Sequence, residues 1–192
     1  MPPAVLAIFR DFWLSGKQEL CMRAGRGFGK STMLCRPTLV ECLFAPRVVN
    51  GGEIAIWPEL SVDMDEANLK VSVLEKLLSL ARFRRGTPDN DLEFKTLTQE
   101  RGRTRIKFRN AEHEQIEIRV YPATVKGASG MTAAGVTADE MAKWEDEETG
   151  ANPAREVLRS VRPAMATIKA AHGFICSSAW AKSGVHYEMV TA

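Results

Sequence analysis

Ala24-Gly25-Arg26-Gly27-Phe28-Gly29-Lys30-Ser31-Thr32 is the stretch on which the reading of this chain turns. Glu19 to Arg23 before it reads as a short strand, and Thr32 to Phe44 after it has apolar residues at helical spacing, with the helix starting near Lys30. Strand, glycine-bearing bend and helix in that order make an anion cradle. Backbone amides in such a bend point into one concavity, and the helix N-terminus adds positive potential there. Glycine lets the backbone approach phosphate oxygens without a side-chain clash. In such a cradle Lys30 would reach the β- and γ-phosphates of a nucleotide, and the Ser31 hydroxyl would hold Mg²⁺. Ala24 stands where the usual pattern has glycine; as the smallest substitute, it keeps the turn if its φ is negative.

A second element is Asp139-Glu140 after Gly135-Val136-Thr137-Ala138, with Ala134 to Ala138 able to pack as a buried strand. Neighbouring carboxylates at a strand end diverge. Asp139 can then organise the magnesium shell while Glu140 accepts a proton from the attacking water. Taken alone, the same pair also suits the start of a surface helix. A third element is Phe174-Ile175-Cys176-Ser177-Ser178, a strand ending in two hydroxyls. They can sense a γ-phosphate, or simply start a turn.

Around these elements strands alternate with helices. Ala4 to Leu14 reads as a short helix, and Glu53 to Trp57 as a strand closed by Pro58. Ser61-Val62-Asp63 can cap a helix to about Phe83, with Leu69, Val73, Leu77 and Leu80 on its apolar face. Pro37 falls in the first turn or two of its helix. Pro163 ends or kinks the helix predicted over Pro153 to Ile168. Segments Leu92 to Leu97, Arg103 to Phe108 and Ile116 to Tyr121 alternate as a meander would, with Arg101, Arg103, Arg105, Lys107 and Arg109 on one solvated face. The pattern predicts an α/β fold with a mainly parallel central sheet flanked by helices and an antiparallel portion around 92–121.

The bulk numbers agree with one domain over 1–192. The chain is 45% hydrophobic and 26% charged, with a net charge of only +2, so no global field pulls it towards nucleic acid or membrane. Four scattered cysteines and three histidines give no metal-ligand spacing. No apolar run is long enough to span a membrane, and the start lacks a signal peptide's basic leader, so a soluble, intracellular chain is expected.

Together the three elements resemble the N-terminal ATPase domain of the large terminase subunit of tailed bacteriophages. The likeness rests on Arg23 to Thr32, Gly127 to Trp144 and Phe174 to Gly184, and most of all on Ser129-Gly130-Met131-Thr132 leading into Thr137-Ala138-Asp139-Glu140-Met141-Ala142-Lys143-Trp144. The resemblance implies a P-loop NTPase of the additional-strand, catalytic-glutamate type, with an extra strand between the phosphate-loop strand and the acidic-pair strand. It implies that Ala24 to Thr32 bind nucleotide, that Ser31 and Asp139 serve Mg²⁺, and that Glu140 and Lys30 are catalytic. Arg26 is implied as a finger on the γ-phosphate, and Ser177 and Ser178 as the motif coupling hydrolysis to movement. It implies a motor that hydrolyses ATP to drive double-stranded DNA into a procapsid. Its partners would be the portal protein, the small terminase subunit and copies of itself in a ring, in the cytoplasm of an infected bacterium. A further arginine from a neighbouring subunit is expected among Arg82, Arg84, Arg85, Arg101 and Arg103. The nuclease domain that such proteins carry is not expected in this chain. The rival readings are another nucleic-acid translocase or helicase-like ATPase, and a nucleotide-binding assembly module that does not hydrolyse. Phe12 and Trp13 read as core more readily than as an adenine platform.

Overall fold

The structure, a computed structural model, describes residues 1–45, 53–80, 82–83, 92–93, 98–110, 114–124, 130–145, 149–168 and 170–192. Its helices are α1 (Pro3–Leu14), α2 (Lys30–Phe44), α3 (Met64–Leu80), α4 (Ala154–Ala166) and α5 (Val185–Thr191). Its strands are β1 (Glu19–Arg23), β2 (Ala55–Ser61), β3 (Arg82–Phe83), β4 (Leu92–Glu93), β5 (Thr98–Arg101), β6 (Arg105–Arg109), β7 (Gln115–Pro122), β8 (Gly135–Asp139) and β9 (His172–Ser177). Seven strands form the main sheet in the order β1-β9-β8-β2-β7-β6-β5, and β3 pairs with β4 separately. β1, β9, β8, β2 and β7 run parallel, while β6 and β5 join antiparallel at one edge. The expected mainly parallel sheet with an antiparallel portion forms, but that portion is β5 to β7: Leu92–Glu93 pair with β3 instead, and 94–97 lie outside the described residues.

One face of the sheet is set by β2 and β8. Alternation places Trp57, Glu59 and Ser61 on the side that carries Thr137 and Asp139, and Glu59 lies in register with Thr137. Trp57 stacks on Phe174 with ring centroids 5.9 Å apart, and Phe9 and Phe12 of α1 meet Phe174 edge-on. Phe12 is therefore core, as its composition predicts. Trp13 instead donates its indole N–H to Glu41 of α2, which also meets Nδ1 of His172 at 2.8 Å.

Four expectations need correction. Pro58 does not close β2, which runs to Ser61 and pairs with β7 throughout. Ile56 exchanges its backbone bonds with Thr132 and Ala134, so alternation puts the missing N–H of Pro58 on that same side. The β2–β8 ladder has a gap there, resuming only at Glu59 and Leu60. A proline placed in such a gap breaks no bond. Second, α3 ends at Leu80 and buries Ala67, Lys70, Val71, Leu74 and Leu78, while Leu69 and Leu80 are exposed. The true stripe is rotated by one residue from the expected one, and Lys70 is buried within it. Third, Pro163 does not end its helix, since α4 continues to Ala166; Pro37 lies about two turns into α2, near its expected place. Fourth, β9 ends at Ser177, leaving Ser178 just beyond it. The N-terminus of α3 does have its cap: Asp63 accepts the N–H of Glu66 at 2.8 Å. None of the four cysteines is in a disulfide.

Ile106 and Phe108 of β6 point inwards, leaving Arg105 and Lys107 half-buried and Arg109 exposed on the other face. Lys107 lies 3.9 Å from Glu117 of β7, to which Arg119 also pairs. Arg84, Arg85, Gly127 and Ser129 lie outside the described residues. No described helix is long and apolar enough to cross a membrane.

Candidate active site

β1 delivers the bend from Ala24 to Gly29 to the end of the sheet, and α2 begins at Lys30. Ala24 has negative φ, and its N–H donates to the carbonyl oxygen of Ser177 at 3.0 Å, which ties the bend to β9. Gly27 and Gly29 take φ values of 77° and 72°, which L side chains rarely adopt, so these two glycines are required by the path of the chain. A Cβ built on Gly25, Gly27 or Gly29 meets nothing within 4 Å, so the space over the bend is open. The first turn of α2 has no side-chain cap on its amides. Arg26 and Phe28 are exposed on the bend.

β8 brings the acidic pair to the same end of the sheet. The hydroxyl of Ser31 donates to Oδ2 of Asp139 at 2.9 Å across 108 residues of sequence. The ammonium of Lys30 lies 3.1 Å from Oε1 of Glu140 and donates to the carbonyl of Gly25 at 3.3 Å. Glu140 itself sits at φ 51° and ψ 34°, a left-handed conformation uncommon outside glycine. That bend swings its side chain away from the strand direction and towards β9. Trp144 fixes it by donating its indole N–H to the carbonyl of Asp139 at 2.9 Å, and Oδ1 of Asp139 accepts the N–H of Glu140.

The strand between them completes the arrangement. Ser178 donates its N–H to Oε2 and its hydroxyl to Oε1 of Glu140, both at 3.1 Å, and the Ser177 hydroxyl lies 3.4 Å from Oε2. Lys143 lies 3.3 Å from Oε2. Burial pushes the Glu140 carboxyl up, but the Ser178 amide and then Lys30, Lys143 and the Ser178 hydroxyl outweigh it and hold the group at about 2. Glu140 is ionised at neutral pH.

β9 therefore stands between the phosphate-loop strand β1 and the acidic-pair strand β8, as the resemblance implies. Comparison with solved structures agrees. The ATPase domain of the Thermus phage P74-26 large terminase, in an arginine-to-alanine variant, matches 98% of this chain and 68% of its own at TM-score 0.65 and 18% identity. The unsubstituted domain gives TM-score 0.59 at 17% identity over the same shares. The fold is that of a large terminase ATPase domain. The HK97 bacteriophage large terminase matches 92% of this chain at TM-score 0.61 and 12% identity, and the chain spans 33% of that protein. No family model and no curated protein matches the sequence.

On this terminase-type frame the donors suit magnesium. They are hard oxygens, one hydroxyl and one carboxylate, and magnesium takes one or two protein oxygens with the rest from phosphate and water. Among the described residues no group of three or more His, Cys, Asp and Glu could hold a metal alone. A cleft of about 360 Å³ lined by Lys143, Trp144, Asn152, Trp180 and His186 adjoins the site through Lys143, yet includes none of the loop residues.

Three polar residues at the site were missed in the sequence. Lys70 of α3 donates to Ser61 Oγ at 2.6 Å and lies 3.2 Å from Oδ2 of Asp139. Glu59 is buried with neither carboxyl oxygen bonded. Burial lifts its carboxyl to about 7, moderated by Lys70 and by the hydroxyls of Thr137 and Thr38. Those hydroxyls bond to each other at 2.7 Å, and Thr137 also accepts the Trp57 indole N–H, with neither in bonding geometry to Glu59. Lys143 could have been found, because it lies in the stretch that carries the family likeness.

Proposed function

We propose that this chain is the ATP-hydrolysing motor domain of a viral DNA-packaging terminase. The observation that carries the reading is the convergence of Ser31 on Asp139, 108 residues away in sequence, and of Lys30 on Glu140. Backbone amides from Gly25 to Lys30 would hold the triphosphate, and Ser31 and Asp139 would hold Mg²⁺. Magnesium supplies positive charge against the β- and γ-phosphate oxygens when bound.

Lys30 has two partners to choose between. A triphosphate in the bend offers it more negative charge than one carboxylate, so Lys30 turns from Glu140 to the phosphates. Glu140 then loses a cation that depresses its basicity, and it accepts the proton of the attacking water more readily. Arg26, exposed on the bend, offsets charge on the transferring phosphoryl group. Ser177 and Ser178 follow Glu140 through their hydrogen bonds and pass its state along the chain towards α5. Double-stranded DNA, the portal protein, the small terminase subunit and a ring of copies are the partners this reading supplies, in the cytoplasm of an infected bacterium.

Phosphate release with Mg²⁺-ATP tests the reading. The wild type should hydrolyse ATP, and Glu140→Gln should keep nucleotide binding while losing ~10²-fold or more in turnover. Unchanged turnover removes Glu140 from the mechanism. Magnesium-dependent binding with no hydrolysis, in the presence of DNA and portal, would leave the assembly-module reading in its place.

A further inference from the structure

Lys70 belongs to none of the three sequence elements. Its side chain is 2% exposed, enclosed by α3 and the sheet face bearing Ser61 and Asp139. A buried ammonium is costly unless paired, and this one is paired with the carboxylate that faces the phosphate bend. Oδ2 of Asp139 receives Lys70 at 3.2 Å and the Ser31 hydroxyl at 2.9 Å, while Oδ1 receives the Glu140 N–H at 2.9 Å. The carboxylate is thus held from α2, from α3 and by its own backbone. Ser61, fully buried at the end of β2, anchors the ammonium in turn at 2.6 Å.

We infer that Lys70 is a positioning residue for the metal carboxylate: it fixes Asp139 at the Ser31 hydroxyl before a metal arrives. The inference rests on the reading of Asp139 as the magnesium carboxylate. Lys70 acts through Asp139 and touches neither nucleotide nor reacting atoms. Its geometry matters because magnesium demands near-ideal octahedral ligands, and a carboxylate free to rotate meets that demand less often. Partners of a metal ligand typically contribute about 10- to 100-fold in metal affinity.

A second role for the ammonium would have the opposite sign. A cation beside Asp139 repels Mg²⁺, so if charge alone mattered, removing Lys70 would tighten metal binding. Positioning makes removal weaken it. The sign separates the two.

The test titrates Mg²⁺ against a fluorescent ATP analogue bound to the whole chain, with EDTA giving the metal-free affinity. Lys70→Met should raise the half-saturating Mg²⁺ concentration about tenfold and leave metal-free affinity unchanged. Ser61→Ala keeps the ammonium but loses its anchor, and should shift the midpoint the same way by less. A midpoint unchanged or lowered in Lys70→Met overturns the inference. If that variant does not fold, an unchanged midpoint in Ser61→Ala overturns it instead. Wild-type nucleotide binding that ignores Mg²⁺ defeats the underlying reading of Asp139, and the role of Lys70 falls with it.

Discussion

The ammonium of Lys30 lies 3.1 Å from Oε1 of Glu140, so the cation assigned to phosphate holds the carboxylate assigned to water. On the proposed function, each group restrains the other until a nucleotide enters. Lys30→Met should weaken triphosphate binding by about 10- to 100-fold, the loss of a charged hydrogen bond of ~1.5–3 kcal/mol. It should also raise the Glu140 carboxyl above its present value of about 2, because a depressing neighbour is gone. A nucleotide titration checks the first effect, and ¹³C NMR of the carboxyl checks the second. Wild-type affinity in the variant would remove the phosphate assignment of the bend.

Substituting Arg26 should separate binding from turnover. It is exposed on the bend, where a guanidinium can follow charge that develops on the γ-phosphoryl group. Arg26→Ala should cut kcat by roughly 10³-fold and change nucleotide affinity far less. Equal losses in both would assign Arg26 to ground-state binding only.

The phosphate bend and the acidic pair were legible because their chemistry is local: glycines, a lysine, a hydroxyl, and two carboxylates at a strand end. The residues beneath the site were not. Reading Pro58 as the end of a strand left Glu59 and Ser61 outside β2, although the gap in the β2–β8 ladder lets that strand continue. Reading α3 by its leucines placed the apolar face on Leu69 and Leu80. The buried stripe Ala67, Val71, Leu74 and Leu78 keeps helical period with apolar residues alone, and Lys70 is buried beside it. Polarity rules exclude such a lysine, since they do not know that Asp139 arrives from a distant strand to pair with it. That a strand stands between β1 and β8 was legible through family likeness rather than through pattern, while its identity and the order of the other strands were not. Hydrophobic periodicity does not say that β9, late in the chain, inserts between β1 and β8.

Glu59 should make the fold less stable as pH rises. Burial lifts its carboxyl from the ordinary 4.5 to about 7. Between these values the folded chain keeps a proton that the unfolded chain has released, so each pH unit upward costs about 1.4 kcal/mol. This contribution is fully present below the unfolded value and is lost as pH rises through about 7. Denaturant midpoints of the wild type should fall across that window. Glu59→Gln, whose amide cannot ionise, should flatten the slope. Identical slopes in the two proteins would show that Glu59 does not carry the proton.

Gly135 should tolerate no side chain. A Cβ there would come within 2.5 Å of Cη2 of Trp57 and 2.6 Å of the His172 carbonyl oxygen. The indole cannot retreat freely, because its N–H donates to Thr137 at 2.9 Å and its ring stacks on Phe174. Gly135→Ala should therefore lie at the upper end of overpacking costs, ~3 kcal/mol, which lowers Tm by roughly 10 °C in a domain of this size. Gly173 offers the contrast. Its added Cβ would meet Cγ of Glu19 at 3.2 Å, the flexible part of a half-buried side chain, so Gly173→Ala should lose much less. Equal melting temperatures for the two variants would mean that the Trp57 ring yields, and with it the packing that holds β8 and the carboxylates at its end.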